Sequence, residues 1–272
     1  NGTNIAPSSN SADQIIFNHD LTIVGLDGSY VGYENWTAYI SNSKYAYIPF
    51  LSDSNLNIVF ENVTFQYLAD NILIKVAGNG NYVFKNCVFT NINATGSHQS
   101  VLWLNSGIAL LDNCTFVECN TSYGAVSNYN ENSVDAVHMT VKDSTFSDNY
   151  ANTEPGCINN CGQLVVLNST FSDNYAFWWA GAIHTHIGAN TTIRKSRFID
   201  NVAGWNGGAL YTYSTLSVYD STFVGNNCTT NSGGGVIGVL AYWGQTPPTV
   251  ILDNSTFINN TNNNTYGNGG VI

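Results

Sequence analysis

Residues 165–226 read VVLNSTFSDNYAFWWAGAIHTHIGANTTIRKSRFIDNVAGWNGGALYTYSTLSVYDSTFVGNN. Two signatures alternate in this stretch. One is Phe-x-x-Asn, at Phe171–Asn174, Phe198–Asn201 and Phe223–Asn226. The other is Gly-Ala-aliphatic, at Gly181-Ala182-Ile183 and Gly208-Ala209-Leu210. Both recur 27 residues apart, and the last Phe step is 25. Such a period marks a repeat architecture.

The Phe column extends outward to Phe65, Phe89, Phe116, Phe146 and Phe257, at spacings of 24 to 34. Five residues before each Phe stand Phe60, Phe84, Leu111, Val141, Val166, Ile193, Val218 and Leu252, all apolar. Apolar residues at every second position have a strand period. Two before each Phe is a column of Val63, Cys87, Cys114, Ser144, Ser169, Ser196, Ser221 and Ser255, which shifts the alternation by one step and predicts a corner. Three before each Phe, all but Lys195 are Asn or Asp (Asn62, Asn86, Asn113, Asp143, Asn168, Asp220, Asn254), which suit a turn. One repeat is therefore one coil of short strands that must stack on its neighbours. The expected fold is all-β: a right-handed, single-stranded parallel β-helix of about 9–10 coils and roughly 45 Å.

Phe-x-x-Asn alternating with Gly-Gly-Ala-(Ile/Leu/Val) resembles the repeats of chlamydial polymorphic membrane proteins. Ser-Thr-Phe-x-x-Asn with Gly-Gly-Ala is similar to adhesin-like surface proteins of methanogenic archaea. The resemblance covers about 59–272; Phe-x-x-Asn is lost after Phe65, Phe89 and Phe116. It implies an extracellular, cell-surface, non-enzymatic protein.

Composition agrees. Only 9% of the 272 residues are charged and the formal net charge is −11, which argues against nucleic acid and anionic membranes as partners. No run of about 20 apolar residues is present to insert in a membrane. Residues 1–50 are expected to hold a polar arm (1–12), the first coil and a Tyr-rich cap or lateral contact (29–50); 51–272 form the repeat domain. The closing Gly269-Gly270-Val271-Ile272 begins a coil, so copies of the chain are expected to associate end to end.

Cys87 and Cys114 share a column in successive coils, which makes them disulfide candidates; the plain alternative is two buried thiols. A zinc site combining Cys157 and Cys161 with His184 or His186 fits no standard ligand spacing. Among the Asn-x-Ser/Thr sequons, Asn35, Asn93, Asn120, Asn190, Asn227, Asn259 and Asn263 are the glycan candidates, whereas Asn62, Asn113, Asn168 and Asn254 belong to the corner column.

Asp148, Asp173 and Asp200 stack two residues after Phe; a hydrated turn explains them, and a calcium ion is the one cofactor the sequence leaves room for. These acids repeat with the coil, whereas catalysis needs a unique site, so no catalytic residue is expected. The rival class is a carbohydrate-active enzyme of the same fold, a polysaccharide lyase or glycoside hydrolase. A binding face is expected instead at Trp178, Trp205, Tyr211, Tyr213, His184, His186 and Trp243, where aromatic rings would meet surface carbohydrate, a host-cell ligand or another subunit.

Overall fold

The structure, a computed structural model, describes residues 15–16, 20–25, 30–32, 50–52, 55–66, 74–76, 79–96, 98–128, 137–229, 233–241, 244, 246–263 and 270–272. Every named element among them is a β-strand. Each coil is one circuit of four sheets. In the coil that opens at Ile183 these are sheet A (Ile183–Thr185), sheet B (Asn190–Arg194), sheet C (Arg197–Ile199) and sheet D (Val202–Ala203). Sheets A, B and C are each nine strands deep and sheet D seven, and all pairs are parallel. The result is the β-solenoid expected from the repeat.

The columns read from the sequence line the interior. Phe65, Phe89, Phe116, Phe146, Phe171, Phe198 and Phe223 are fully buried, as are the apolar residues five before them; Phe257, in the last coil, is half-buried. Register pairs each Phe with the next, for example Phe171 with Phe198 and Phe198 with Phe223. Their rings stack at centroid distances of 4.3–4.9 Å with interplanar angles of 2–8°. The strand spacing of about 4.8 Å sets that distance.

Corners must satisfy backbone groups that no strand can pair. Between sheets B and C, Asn62, Asn86, Asn113, Asp143, Asn168, Lys195, Asp220 and Asn254 all take φ of 46–57°, the left-handed turn that Asn and Asp tolerate best. Asn86 Nδ2 donates to Asn62 Oδ1 (3.0 Å) and Asn113 Nδ2 to Asn86 Oδ1 (2.8 Å), a surface amide ladder. Beside it, the serine column works inside: Ser169 N donates to Ser196 Oγ (3.2 Å), and Ser196 Oγ donates to Arg194 O (2.8 Å).

Between sheets C and D the Phe-x-x-Asn asparagine is buried. Asn201 Nδ2 donates to Phe171 O and to Asn226 Oδ1, both at 2.9 Å. Its Oδ1 accepts from Asn174 N (3.3 Å) and Asn174 Nδ2 (2.8 Å). The same links run from Asn149 to Asn260. Gly-Gly-Ala marks the sheet D to sheet A bend, where coils touch: a Cβ on Gly181 would lie 2.2 Å from Gly208 O, and one on Gly208 2.3 Å from Gly235 O.

The disulfide expected between Cys87 and Cys114 is not formed; all six cysteines are buried free thiols. In-register parallel neighbours point their Cβ atoms the same way, a strand step of about 4.8 Å apart, whereas a disulfide needs about 3.8 Å. Each thiol instead faces a carbonyl, Cys87 Sγ that of Phe60 (3.4 Å) and Cys114 Sγ that of Phe84 (3.3 Å). The arm at 1–12 and most of the segment at 29–50, with Asn35 and Trp243, lie outside the described residues. What is described before residue 53 is already helical stacking: Leu21–Val24 pairs with Ile58–Glu61, and Tyr30–Gly32 with Thr64–Gln66.

Three substitutions separate the apolar interior, the inner ladder and the outer ladder. Phe198→Ala is expected to destabilise by about 3–5 kcal/mol through the cavity it leaves. Asn201→Ala, which strands buried N–H and C=O groups, is expected to cost about 3 kcal/mol, and Asn113→Ala on the surface about 1. Denaturant midpoints check the order; equal losses for Asn201→Ala and Asn113→Ala would refute it.

Candidate functional site

In sheets B, C and D of the coil that opens at Ile183, burial alternates, as a strand with one solvated face requires. Sheet A departs from this rule. Val126–Asn128, Ile158–Asn160, Ile183–Thr185 and Leu210–Thr212 are buried at all three positions. The middle residue of each points outward by parity, giving the stacked column Ser127, Asn159, His184, Tyr211. Something covers that outer face. The cover comes from the bends that lead into sheet A, which carry Glu154 and Trp179, and from Tyr213 just beyond it.

His184 lies at the centre and is 0% exposed. Around its ring stand His186 (centroids 4.0 Å), Tyr211 (5.1 Å), Tyr213 (5.5 Å) and Trp179 (5.9 Å). Glu154 Oε2 approaches His184 Nδ1 to 2.9 Å, yet the two are not aligned as a hydrogen bond, and neither atom has a hydrogen-bond partner. His184 Nε2, Asn159 Nδ2 and Ser127 Oγ also lack one. These are five of the seven such buried atoms among the described residues. A ring nitrogen of His186, Nε2, meets Asn159 Oδ1 at 2.6 Å.

Electrostatics follow from burial. Desolvation lowers both histidines to about 3, with His184 adding to the effect at His186, so both are neutral at physiological pH. Glu154 is pushed up to about 7, because burial outweighs the opposing pull of His186 and His98. Near neutrality its carboxyl is poised between two protonation states.

A cavity of about 510 Å³ opens beside this cluster. Successive sheet D to sheet A bends build its wall: Thr95, Gly96 and His98; Ser122 and Tyr123; Asn152, Thr153 and Glu154; Trp178 and Trp179. The bends are stacked by backbone bonds, Trp178 N to Thr153 O (2.8 Å) and Trp205 N to Trp178 O (2.7 Å). Trp178 meets Trp205 edge-on at 4.5 Å, and Trp205 is 45% exposed.

The expected binding face therefore divides. Trp178 lines the cavity and Trp205 flanks it, but Tyr211, Tyr213 and His184 are buried under Trp179 and Glu154 rather than offered to solvent. Sequence reasoning missed Glu154, Trp179 and Asn159. Glu154 had a signal: it is one of five glutamates and sits in no repeating column. Asp148, Asp173 and Asp200 are exposed left-handed turn residues with φ of 51–57°, and partial burial, then its two neighbours, raises Asp173. Of the described sequons, Asn120, Asn259 and Asn263 are exposed, while Asn93, Asn190 and Asn227 are half-buried, with Asn190 Nδ2 given to Gln163 Oε1 (3.0 Å). Comparison with protein-family models, with curated proteins and with solved structures finds no match to this chain.

The histidines give a pH signature. Between about pH 6.5 and 4.5 the unfolded chain takes up two imidazole protons that the folded cluster refuses, while folded Glu154 holds one proton the unfolded chain lacks. The net excess of one proton in the unfolded state makes stability fall on acidification, by on the order of 1 kcal/mol per pH unit, and more steeply below pH 4.5. Chemical denaturation in chelator should show this loss in the native chain and a shallower one in His184→Leu. Parallel pH profiles would contradict the assignment.

Proposed function

We propose that the chain is an extracellular structural and adhesive element of a cell surface that holds carbohydrate in its lateral cleft. One observation carries this reading: the cavity lining sets the aromatic residues Tyr123, Trp178 and Trp179 beside the polar residues Ser122, Asn152, Thr153 and Glu154. Sugar rings offer apolar C–H faces and peripheral hydroxyls, and that pairing of surfaces suits them. The resemblance to adhesin-like repeats, the low charge and the exposed sequons support the same reading. Association of copies end to end belongs to it, since parallel sheets carry unpaired groups at their edges, and particle length in electron microscopy reads it out.

A carbohydrate-active enzyme is the second reading, favoured by Glu154, whose carboxyl at about 7 suits a general acid. Glycoside hydrolysis usually needs a second carboxylate, and the described residues lining the cleft supply none. Binding without turnover is therefore preferred.

Glycan-array screening of the native chain should find bound oligosaccharides. Trp178→Ala should weaken the best of them roughly tenfold or more by removing a stacking face, with no reducing ends released over time. Binding unaffected by Trp178→Ala would overturn the cleft reading. Release of sugar that stops in Glu154→Gln would favour the enzyme.

A further inference from the structure

The buried cluster asks for an occupant. Its five atoms without a hydrogen-bond partner lie on the column Ser127, Asn159, His184 of three successive coils and on the bend carrying Glu154. Burying polar atoms without hydrogen bonds is costly. A repeat scaffold could have avoided that cost with an ordinary outward residue at position 184. The histidine ring nitrogens and the carboxylate are held together instead, with one ligand atom from each of Glu154, His184 and His186 within 4.8 Å of the others.

We propose that Glu154, His184 and His186 bind a divalent transition-metal ion, zinc by ligand chemistry, leaving a fourth coordination position toward the cleft. Two imidazoles and one carboxylate form a donor set suited to zinc, whereas calcium and magnesium prefer oxygen alone. Around tetrahedral zinc, donors bound at about 2.0–2.1 Å sit about 3.3 Å apart. The 2.9 Å approach of Oε2 to Nδ1 is already of that order, and it makes sense as two ligands facing one ion rather than each other. Rotation of the side chains closes the remainder.

The surroundings fit as well. If the Nε2–H of His186 donates to Asn159 Oδ1, the ring is oriented and Nδ1 becomes the ligating atom. Trp179, Tyr211 and Tyr213 wall the site and shield it from water. Glu154 belongs both to the cluster and to the cleft lining, so a ligand in the cleft would meet the ion through its open position. This extends beyond the sugar-binding reading and does not rest on it, because the donor set stands whatever fills the cleft.

The test uses the full chain, stripped with chelator and kept reduced, titrated with Zn²⁺ against a chromogenic competitor. The expected result is one tight site per chain, weakened roughly tenfold or more in Glu154→Gln and lost in His184→Ala, with the exposed-histidine control His138→Ala unchanged. Co²⁺ should give visible ligand-field bands without a thiolate charge-transfer band, since the cysteines take no part. Should His184→Ala fail to fold, Glu154→Gln alone decides: zinc raises the melting temperature of the native chain and not of that variant. No tight site, a site indifferent to Glu154→Gln, or a thiolate band would overturn the proposal. Glycan binding repeated in chelator separates the two readings: if it survives there but falls in Trp178→Ala while zinc fails to bind, only the metal is wrong.

Discussion

The asparagine three residues after Phe146, Phe171, Phe198, Phe223 and Phe257 holds the rod together at the bend between sheets C and D. A strand can pass its N–H and C=O groups to the coils above and below, but a bend cannot, because its peptide planes turn away from the stack. The carboxamide of Asn201 replaces what the bend loses, accepting from the coil before and donating to the backbone carbonyl of Phe171 and to Asn226 Oδ1. Side chain and backbone together close a ladder that runs parallel to the sheets. The Phe stack can then be continuous, since register at the bend is fixed to the residue. Where the asparagine gives way to Cys119 and Ile92, the ladder ends and burial of an apolar side chain takes its place.

This division explains what a single sequence discloses. Interior columns repeat because every coil faces the same environment, so Phe, the serine two before it and the aliphatic five before it announce themselves by period. The turn residues do so too, since a left-handed φ narrows the choice to Asn, Asp and Gly wherever the corner recurs, with Lys195 the exception. The glycine column reflects a distance of closest approach, repeated coil by coil. Repetition also set the limit. Cys87 and Cys114 share a column, yet a shared column means parallel Cβ vectors, the wrong geometry for a disulfide.

The site was legible only in fragments, for the converse reason. Its residues lie on the outer face of sheet A and in the bends that cover it, where no environment recurs. His184, His186, Tyr211 and Tyr213 were visible as an aromatic departure from the repeat, but period alone assigns them to solvent. Burial at the outward parity comes from Glu154 and Trp179, which reach across from neighbouring bends. No spacing rule connects residue 154 with residue 184; only stacking of the coils brings Oε2 to 2.9 Å from Nδ1.

Repetition marks structure and uniqueness marks function, which divides the acids differently from a count of carboxylates. Asp148, Asp173 and Asp200 are three alike, spaced by the coil and hydrated at a turn. Glu154 stands alone, is half-buried with its Oε2 fully enclosed, and faces groups that also have no counterpart in other coils. A solenoid tolerates such a departure because each coil contacts only its neighbours. The sheet ladders on either side keep their register, so the strain of burying a carboxyl and two imidazoles is borne locally by the wall of Trp179, Tyr211 and Tyr213. A rod of this kind can thus carry one specialised patch on an otherwise uniform flank, and in this chain the patch is where the outward face of sheet A stops being outward.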